Sequence, residues 1–549
     1  MQKVLTAAEM REVDRQTTEK YGIPSILLME NAAHAAARVI TEKLSGSVKG
    51  RSFLILCGTG SNGGDGAALA RILWMQGAKV LVLLFGKVSQ TKGDAKINFQ
   101  IIKRLCADRI CEEVGLDGQK IKGIDFEENI YFHEVYSEKT WNYLHEEISH
   151  KFTVVVDALL GTGINKKLEG DYFRAIFFGR SRSNYRVSID IPSGLNVDLS
   201  KQIGKNFQAD LTITFTSPKP ANVLPPASNF NSELVVANIG SPQELIDNSP
   251  SKLFLAEKQD AQNWLNQTKY TSDSYKNKRG HALLIVGSKE YTGAAVLAGN
   301  AAMLSGVGLT TIATSESARA AVASKILEEV ITRGLPETKN GAIAEKAFET
   351  VEKLTEKIDV VGIGCVLTSK EKTTRDFVRE VVEKRKTPVI IDADALNALS
   401  PFDLRGSEDL PLILTPHEGE FLRLLGTKDK EVLKDRVKAV RDFAEKHQVI
   451  LVLKGERVLI GAPDGRVVIN PTGNSGLGKA GNGDTLTGII TGFVAQAAQM
   501  KVDIFETVVA AVYISSLAGD IAARKFGKRT MLASNVRECL AEAFESITN

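Results

Sequence analysis

Cysteine, proline and net charge are all scarce in this chain. Its 549 residues include 5 cysteines and 15 prolines, and 69 Lys and Arg against 66 Asp and Glu leave a formal net charge of +3. The cysteines, at positions 57, 106, 111, 365 and 539, form no CxxC pair. This spacing argues against a disulfide framework or a zinc knuckle and favours a reducing cytoplasm. So small a net charge argues against binding to a nucleic-acid backbone.

A long hydrophobic run is missing as well. The opening residues, MQKVLTAAEMREVDRQ, mix both signs of charge, and we find no run of about 18 apolar residues, so export and membrane insertion are not expected. Hydrophobic residues still make up 43% of the chain, enough to build sizeable cores. We therefore expect a cytoplasmic protein of two large α/β domains, or of three to four units of roughly 150 residues.

The prolines mark a boundary inside the chain. Six of the 15 fall at positions 218, 220, 225, 226, 242 and 250, in a stretch that is a poor place for a core. The apolar run 233–239 within it still has the composition of a strand. We therefore predict a first domain over residues 1–242 and a second over residues 251–549.

On both sides of the boundary, short apolar runs alternate with glycine-rich turns and helical periodicity. This pattern predicts βαβ units and a largely parallel sheet, hence an α/β fold of three αβα layers in each half. Thr6 and Glu9 form a capping-box signature at the first helix. In the first half the predicted strands are Ser52–Cys57, Lys79–Phe85, 152–156, Arg186–Ile189 and Leu211–Phe215. In the second half they are 282–286, 310–314, Val360–Ile363, Val389–Ile391, Leu412–Leu414 and Ile450–Leu453.

A glycine loop follows the first of these strands. Gly58, Gly60 and Gly63 have the spacing GxGxxG and precede a helix predicted over 67–76, an arrangement that places a pyrophosphate on a helix N-terminus. An NAD-binding fold would end the next strand with an acidic residue for the ribose, but the sequence there reads FGK. The loop therefore indicates a phosphate-bearing ligand rather than ordinary hydride transfer. A tight turn that binds nothing is the alternative.

Two later strands of the first half each end in an aspartate followed by glycines. Asp157 stands in VVVDALLGTG and Asp190 in VSIDIPSG. Because the carboxyl ends of parallel strands share one edge, both carboxylates can converge with the glycine loop. Together with Asn and Ser oxygens they would suit a hard cation. Alternatively, each aspartate caps the helix that follows it.

The first half resembles the YjeF N-terminal family, the NAD(P)HX epimerases. The resemblance rests on LLMENAAHAA, CGTGSNGGDG, DALLGTGINKKLEG and SIDIPSGLNVD, and it implies a Rossmann-like domain that interconverts the R and S forms of hydrated NADH or NADPH beside a potassium ion. Asp190 would be the acid/base, and Asn62, Asp157 and Ser193 would hold potassium. The hydrated dinucleotide would contact Ser61, Asn62, Gly63, Gly64, Asp65, Gly161, Thr162, Gly163, Ile164, Asn165, Lys166, Lys167 and Asp190.

The densest glycine run lies in the second half, at 470–484. Gly473 to Lys479 satisfies GxxxxGK, but Ala480 lacks the hydroxyl that a P-loop uses for magnesium. The alternative is an anion-binding turn from Gly481 to Asp484, with a helix that begins at Asp484. Backbone N–H groups there would stabilise a transferring phosphoryl group while the carboxylate takes a proton from the attacking hydroxyl.

Other strand ends of the second half carry polar residues to the same edge. Asp392 and Asp394 follow one strand, His417 and Glu420 another, and Lys454 begins a Lys-Gly turn. The stretch 291–311 is rich in small residues and predicts a helix that packs closely against a ligand or against the sheet. A lone His is usually an ordinary surface or core residue, but His417 lies in a loop at a strand end.

The second half resembles the C-terminal YjeF family, the nucleotide-dependent NAD(P)HX dehydratases of ribokinase-like fold. The resemblance implies that ADP and Mg²⁺ serve to phosphorylate the S hydrate and eliminate phosphate, leaving AMP. Asp484 would be the general base, Ala295, Gly364, His417 and Asp484 would contact the hydrated cofactor, and Glu420 would bind magnesium. The nucleotide would contact Lys454, Gly455, Glu456, Arg457, Val458, Asn474, Ser475, Gly476, Leu477, Gly478, Lys479, Ala480, Gly481, Asn482 and Gly483.

Taken together, the two halves predict a bifunctional repair enzyme: an isomerase joined to a lyase. We expect it to act as a homo-oligomer on NADHX, NADPHX and ADP, with no nucleic-acid or membrane partner. The alternative is a ribokinase-type small-molecule kinase joined to a non-catalytic binding domain. That kinase would release a stable phosphorylated product instead of free phosphate.

Overall fold

The computed structural model describes residues 1–106, 130–148, 150–161, 163 and 167–548. Its internal contacts divide the chain into an N-terminal unit, Lys3–Ser251, and a C-terminal unit, Lys252–Asn549 with Met1–Gln2. The division falls at the end of the proline-rich stretch. Each unit is built on one twisted sheet with helices packed on both of its faces.

The N-terminal unit has a seven-stranded sheet in the order β4-β3-β2-β5-β6-β7-β8. All of its neighbouring strands are parallel. The strands are β2 (Ser52–Cys57), β3 (Lys79–Phe85), β4 (Ile130–Val135), β5 (Val154–Ala158), β6 (Arg186–Ile189), β7 (Leu211–Phe215) and β8 (Glu233–Ala237). The helices are α1 (Ala7–Tyr21), α2 (Ser25–Lys43), α3 (Ser61–Met75), α4 (Gly93–Leu105), α5 (Glu138–Glu147), α6 (Gly170–Arg182), α7 (Pro220–Val223) and α8 (Gln243–Asp247).

Successive side chains of β2 point to opposite faces of the sheet, and this alternation explains the three layers of the unit. Phe53 and Ile55 belong to one core cluster, which includes residues of α2, α3 and α4, whereas Leu54 and Leu56 belong to another, with residues of α5 and α6. A strand with both faces covered reads as a continuous apolar run. The chain leaves β2 toward β3 and later returns to β5 on the other side, so β2 and β5 form the switch point at which such sheets bind ligands.

The C-terminal unit contains an eleven-stranded sheet in the order β1-β9-β18-β17-β16-β15-β14-β13-β10-β11-β12. Its pairs are parallel from β12 to β16, and β17 runs antiparallel to β16 and β18. Its strands are β1 (Gln2–Lys3), β9 (Leu253–Leu255), β10 (His281–Ile285), β11 (Leu309–Ser315), β12 (Ile331–Leu335), β13 (Val360–Ile363), β14 (Val389–Ile391), β15 (Leu412–Leu414), β16 (Ile450–Leu453), β17 (Leu459–Gly461) and β18 (Val467–Ile469).

The helices of this unit pack on the sheet and on one another. The ring of Trp264 stacks on Phe493 with 4.0 Å between centroids, which joins α9 to α17. The helices are α9 (Lys258–Gln267), α10 (Thr292–Leu304), α11 (Glu316–Ala323), α12 (Phe348–Thr355), α13 (Lys372–Glu383), α14 (Ala393–Ala398), α15 (Glu418–Leu424), α16 (Arg436–His447), α17 (Asn482–Met500), α18 (Ile504–Phe526), α19 (Ala533–Glu538) and α20 (Leu540–Thr548).

One helix bears on the expectation of no membrane segment. Among the described residues, α18 alone is long and apolar enough to cross a membrane. However, 72% of its most apolar window is buried within the C-terminal unit, as expected of a core helix.

The predicted α/β class and its parallel sheets are confirmed, and most predicted strands coincide with observed ones. The short strands β9, β12, β17 and β18, and β4 in the N-terminal unit, were not predicted. They are three to six residues long. Their length alone does not explain why they were missed, because the predicted strands β14 and β15 are also only three residues long.

Candidate active sites

The glycine loop of the N-terminal unit leads directly from β2 into α3. The helix begins at Ser61, so the prediction of a helix from residue 67 was wrong: the loop glycines themselves form its first turn. Gly60 occupies the N-cap and supplies no side-chain cap. The first N–H groups of α3 are therefore available to an anionic ligand.

Two of these glycines are required by close backbone contacts. A Cβ on Gly63 would lie 1.8 Å from the carbonyl oxygen of Gly58, and one on Gly58 would lie 1.9 Å from the carbonyl oxygen of Leu159. A Cβ on Gly60, in contrast, would meet no atom within 4 Å. The glycines at 58 and 63 let the loop fold against the end of β5.

We expect Gly63→Ala to destabilise the N-terminal unit much more than Gly60→Ala does. The added methyl group at 63 forces the backbone apart, and overpacking of this kind costs about 1–3 kcal/mol. Thermal unfolding of the two variants beside the wild type measures the difference. Equal unfolding temperatures for both variants would contradict the close contact between Gly63 and Gly58.

A cavity of about 820 Å³ opens at the switch point of the N-terminal sheet. Its lining includes six of the predicted substrate contacts: Ser61, Asn62, Asp65, Gly161, Gly163 and Asp190. The lining does not include Gly63, Gly64 or Lys167. The remaining predicted contacts, Thr162, Ile164, Asn165 and Lys166, lie outside the described residues.

Two of the three predicted potassium ligands, Asp157 and Ser193, are in direct contact. Asp157 is fully buried and accepts hydrogen bonds from the Ser193 hydroxyl at 2.6 Å and the Ser193 backbone N–H at 2.8 Å. Burial raises the pKa of Asp157 to about 6 despite these bonds. The amide of Asn62 is also buried, and neither of its polar atoms has a partner among the residues described. An unpartnered amide oxygen fits the cation predicted here.

Asp190 forms an ion pair that no motif in the sequence predicts. The ammonium of Lys219 lies 2.6 Å from Asp190 Oδ1, and it also donates to Thr214 Oγ1 at 2.8 Å and to the carbonyl of Phe215 at 3.0 Å. Lys219 is only 2% exposed. A Cβ on Gly161 would lie 3.7 Å from Asp190 Oδ2, so the second carboxylate oxygen faces the cavity wall.

Asp190 has a backbone φ of 65°, a left-handed conformation that Asp tolerates better than most residues do. Neither Asp190 nor Asp157 caps a helix, since the next helix after Asp157 begins at a Glu169 cap and the next after Asp190 at a Lys219 cap. The helix-cap alternative is therefore excluded for both aspartates.

Asp65 lies in the first turns of α3 and also faces the cavity. Burial raises the pKa of Asp65 well above its ordinary value, and the charges of Asp190 and Asp14 raise it further. A protonated Asp65 can donate a hydrogen bond to a ligand.

The predicted anion site of the C-terminal unit lies at the start of α17. This helix begins at Asn482 with Gly481 as its N-cap, two residues earlier than the predicted start at Asp484. Asp484 is therefore in the first turn and is not a plain N-cap. Burial raises the pKa of Asp484, which makes it a stronger base than an exposed aspartate.

A second carboxylate lies close to Asp484. The thiol of Cys365 is hydrogen-bonded to Asp484 and lies 3.8 Å from Asp392 Oδ2. Asp392, 2% exposed, receives the Lys454 ammonium at 2.8 Å and the Thr487 hydroxyl at 2.8 Å. Burial opposes ionisation of Asp392, but Lys454 outweighs it and lowers the pKa below the ordinary value. The Lys454 ammonium of this pair also lies beside the N-terminus of α17, 3.5 Å from the position of a Cβ on Gly483.

Asp520 of α18 holds the predicted nucleotide loop by hydrogen bonds. Asp520 accepts hydrogen bonds from the backbone N–H of Gly473 at 2.8 Å and from the Asn474 amide at 2.9 Å. Lys479 donates to the backbone carbonyls of Arg529 and Met531. Because its ammonium is occupied by main-chain oxygens and an α-helix starts only at Asn482, the GxxxxGK run does not form a P-loop.

His417 and Glu420 form a reciprocal cap at the start of α15. His417 Nδ1 accepts from the Gly419 N–H at 3.0 Å, and Glu420 Oε2 accepts from the His417 N–H at 2.9 Å. This capping role occupies one oxygen of the predicted magnesium ligand. Across the described part of the chain, no group of three or more His, Cys, Asp or Glu side chains is placed to hold a metal ion. Magnesium would therefore need nucleotide phosphates as ligands.

The other predicted substrate contacts lie at the switch point of the second sheet, between β10 and β13. Gly364 follows β13 with a φ of 133°. Gly287 follows β10, donates to the carbonyl of Cys365 at 2.8 Å, and its Cβ position lies 3.1 Å from Ala295. The structure thus brings Ala295 and Gly364 to one edge.

Lys219, Asp520 and Asp14 were not predicted as site residues. Lys219 stands between two prolines in SPKP, Asp520 lies inside an apolar helix, and Asp14 lies on a polar helix. No local motif surrounds them. A charged residue within an otherwise apolar helix, as at Asp520, is the one signal that the sequence offered.

Both units thus have the architecture of nucleotide-binding α/β enzymes. Residues 25–221 match the family model described as YjeF-related protein N-terminus, and residues 282–542 match the model described as NAD(P)H-hydrate dehydratase. A bifunctional NAD(P)H-hydrate repair enzyme of Moorella thermoacetica is 35% identical over 98% of this chain and 96% of its own length. One of Thermofilum pendens is 32% identical over 99% and 97%.

The chain therefore belongs to the family of bifunctional NAD(P)H-hydrate repair enzymes. Among solved structures, an ADP/ATP-dependent NAD(P)H-hydrate dehydratase from Bacillus subtilis, co-crystallised with ATP and Mg²⁺, is 30% identical with a TM-score of 0.47. It matches 54% of this chain and 98% of its own.

Proposed function

We propose that the N-terminal unit interconverts R- and S-NAD(P)HX and that the C-terminal unit dehydrates the S form with ADP, giving AMP and phosphate. The observation that carries this proposal is the full-length match to bifunctional repair enzymes on a chain with a polar site at each switch point. Two activities suit one task, because a stereospecific dehydratase alone would leave the R hydrate unrepaired. We place the enzyme in a reducing cytoplasm, as its few cysteines without a CxxC pair suggest, and expect a homo-oligomer.

In the N-terminal unit the phosphates of the hydrated dinucleotide would bind at the start of α3. The N–H groups after Gly60 and the helix dipole favour an anion there. The hydrated ring would then lie toward Asp190, whose charge Lys219 holds in place. A carboxylate so placed can take the hydroxyl proton and return it after the carbon has inverted.

Potassium would be held by Asn62, Asp157 and Ser193. When bound, the cation supplies a positive charge that favours the ionised form of Asp157. It would also order the first turn of α3, which contains Asn62. The buried, unpartnered Asn62 amide and the buried Asp157 supply hard oxygen ligands.

We expect potassium to stabilise the wild-type chain against heat. A ligand at ten times its Kd adds about 1.4 kcal/mol to the free energy of unfolding, and each kcal/mol moves the unfolding temperature of a unit this size by about 2–4 °C. Unfolding is measured in potassium chloride and in tetramethylammonium chloride at equal ionic strength. Asn62→Ala should remove the difference between the salts, and a wild type indifferent to them would contradict the cation site.

In the C-terminal unit Asp484 would take the proton of the substrate hydroxyl as that oxygen attacks the β-phosphoryl group of ADP. AMP leaves, and the phosphate ester then breaks its carbon–oxygen bond while the neighbouring ring carbon loses a proton, which restores the dihydronicotinamide. The N-terminus of α17 and Lys454 would stabilise the negative charge of the moving phosphoryl group. Magnesium would screen charge between the phosphates, with Glu420 as its proposed protein ligand.

A mixed R/S NADHX preparation tests both activities together. With ADP or ATP added, we expect the near-ultraviolet absorbance of reduced nicotinamide to return for nearly all of the hydrate. Recovery that stops at the S fraction would leave a dehydratase beside an inactive first unit. No recovery, with a stable phosphorylated product from another small alcohol, would favour the kinase alternative.

A further inference from the structure

Besides Asp65 and Asp190, the aspartate Asp14 also lines the N-terminal cavity. It lies on helix α1, outside both the glycine loop and the strand ends. Its Oδ1 is buried and has no hydrogen-bond partner among the described residues. An unpartnered buried carboxyl oxygen is costly unless a ligand or a proton satisfies it.

The surroundings of Asp14 separate its chemistry from that of Asp190. Asp190 has the Lys219 ammonium in direct contact, whereas Asp14 Oδ1 has no hydrogen-bond partner in the described part of the chain. Burial raises the pKa of Asp14 to about 6, with Lys219 opposing the rise and Asp190 adding to it. The charged groups that face Asp14 or line its cavity are Arg11, Arg15, Asp65, Asp94, Asp190 and Lys219.

Epimerisation of this hydrate by ring opening needs a base at the hydroxyl oxygen and an acid at the ring nitrogen. When two carboxyl groups share a site and one is paired with a cation while the other is buried without a partner, the paired group is the base and the other the acid. Building on the proposed epimerase function, we propose that Asp14 is the acid that delivers a proton to the ring nitrogen of the hydrate while Asp190 removes the hydroxyl proton.

The step balances without any further reactant. Asp190 takes the hydroxyl proton, the freed electron pair forms the carbonyl bond, and the carbon–nitrogen bond breaks with its pair moving to nitrogen, which takes the proton of Asp14. The open aldehyde rotates about its carbon–carbon bond and presents its other face. Nitrogen then attacks as its proton returns to Asp14 and Asp190 gives its proton to the oxygen. The opposite epimer results, with no oxidation and with both carboxyl groups restored.

The test compares epimerisation by wild type, Asp14→Asn, Asp14→Glu and the control Glu19→Gln in the full chain, followed by NMR of the two epimers without nucleotide. Glu19 is an exposed carboxylate on the same helix, its side chain 61% exposed. A general acid contributes about 10²–10⁴-fold, so we expect kcat for Asp14→Asn to fall at least 100-fold, while Asp14→Glu recovers part of the rate. Glu19→Gln should match the wild type.

The pH profile separates this role from a structural one. Wild-type kcat/KM should fall as pH rises through about 6, the pKa of Asp14, and this limb should be absent from Asp14→Asn. A folded Asp14→Asn with the wild-type rate and profile would overturn the inference. A wild type that accelerates epimerisation at no pH would instead overturn the proposed epimerase function itself.

Discussion

Replacing Asp484 by Asn should abolish nucleotide-dependent recovery of NAD(P)H while epimerisation continues. Asn keeps the shape of the side chain and its place in the first turn of α17, but it cannot take the hydroxyl proton. A general base contributes about 10²–10⁴-fold to the rate. We therefore expect kcat to fall at least about 100-fold. The rise in near-ultraviolet absorbance from pure S-NADHX with ADP measures the loss.

Asp503→Asn is the matched control. Asp503 caps the next helix, α18, by accepting a hydrogen bond from the Glu506 N–H at 2.7 Å, and an Asn there can still cap. The same chemical change should therefore leave the dehydratase rate intact.

The pH dependence gives a second readout for Asp484. Burial raises the pKa of Asp484 above the usual 3.8, so the acid limb of wild-type kcat should lie above that value. The base is then lost as pH falls through the raised pKa. An Asp484→Asn enzyme that keeps both the rate and this limb would show that another group takes the proton.

The sequence predicted the class of fold because the central strands are buried on both faces. Runs such as FLIL in β2 and ILVL in β16 leave little room for another interpretation. The edge strand β12 reads ITRGL and has no such run. It forms a strand because β11 offers it backbone hydrogen-bond partners, and a local sequence pattern does not show that pairing.

At the sites, residues that stand in a sequence motif could be predicted, whereas residues outside any motif could not. Gly58, Gly63 and Asp190 stand in patterns whose geometry follows from turn and strand-end chemistry, and the structure brings Asp190 and the start of α3 to one cavity. Lys219 reaches Asp190 across 29 residues of sequence. Only the packing of β6 against β7 creates that pair, so no spacing rule could have found it.

The ion pair between Asp190 and Lys219 makes the test of Asp190 a two-variant experiment. Asp190→Asn keeps the left-handed backbone, which Asn also tolerates, but it leaves the buried ammonium of Lys219 without its counter-ion. Removing one partner of a buried ion pair costs about 3–5 kcal/mol of stability. A loss of activity in the single variant could therefore come from the missing carboxylate or from unfolding.

The double variant Asp190→Asn with Lys219→Met resolves this ambiguity. Removing both charges should return most of the stability, since an apolar replacement of a buried pair is often neutral. We expect both variants to lose at least about 100-fold in epimerisation, while dehydration of pure S-NADHX by the same preparations stays at the wild-type rate. A stable double variant that still interconverts the epimers at full rate would remove Asp190 from the reaction and leave its ion pair a purely structural one.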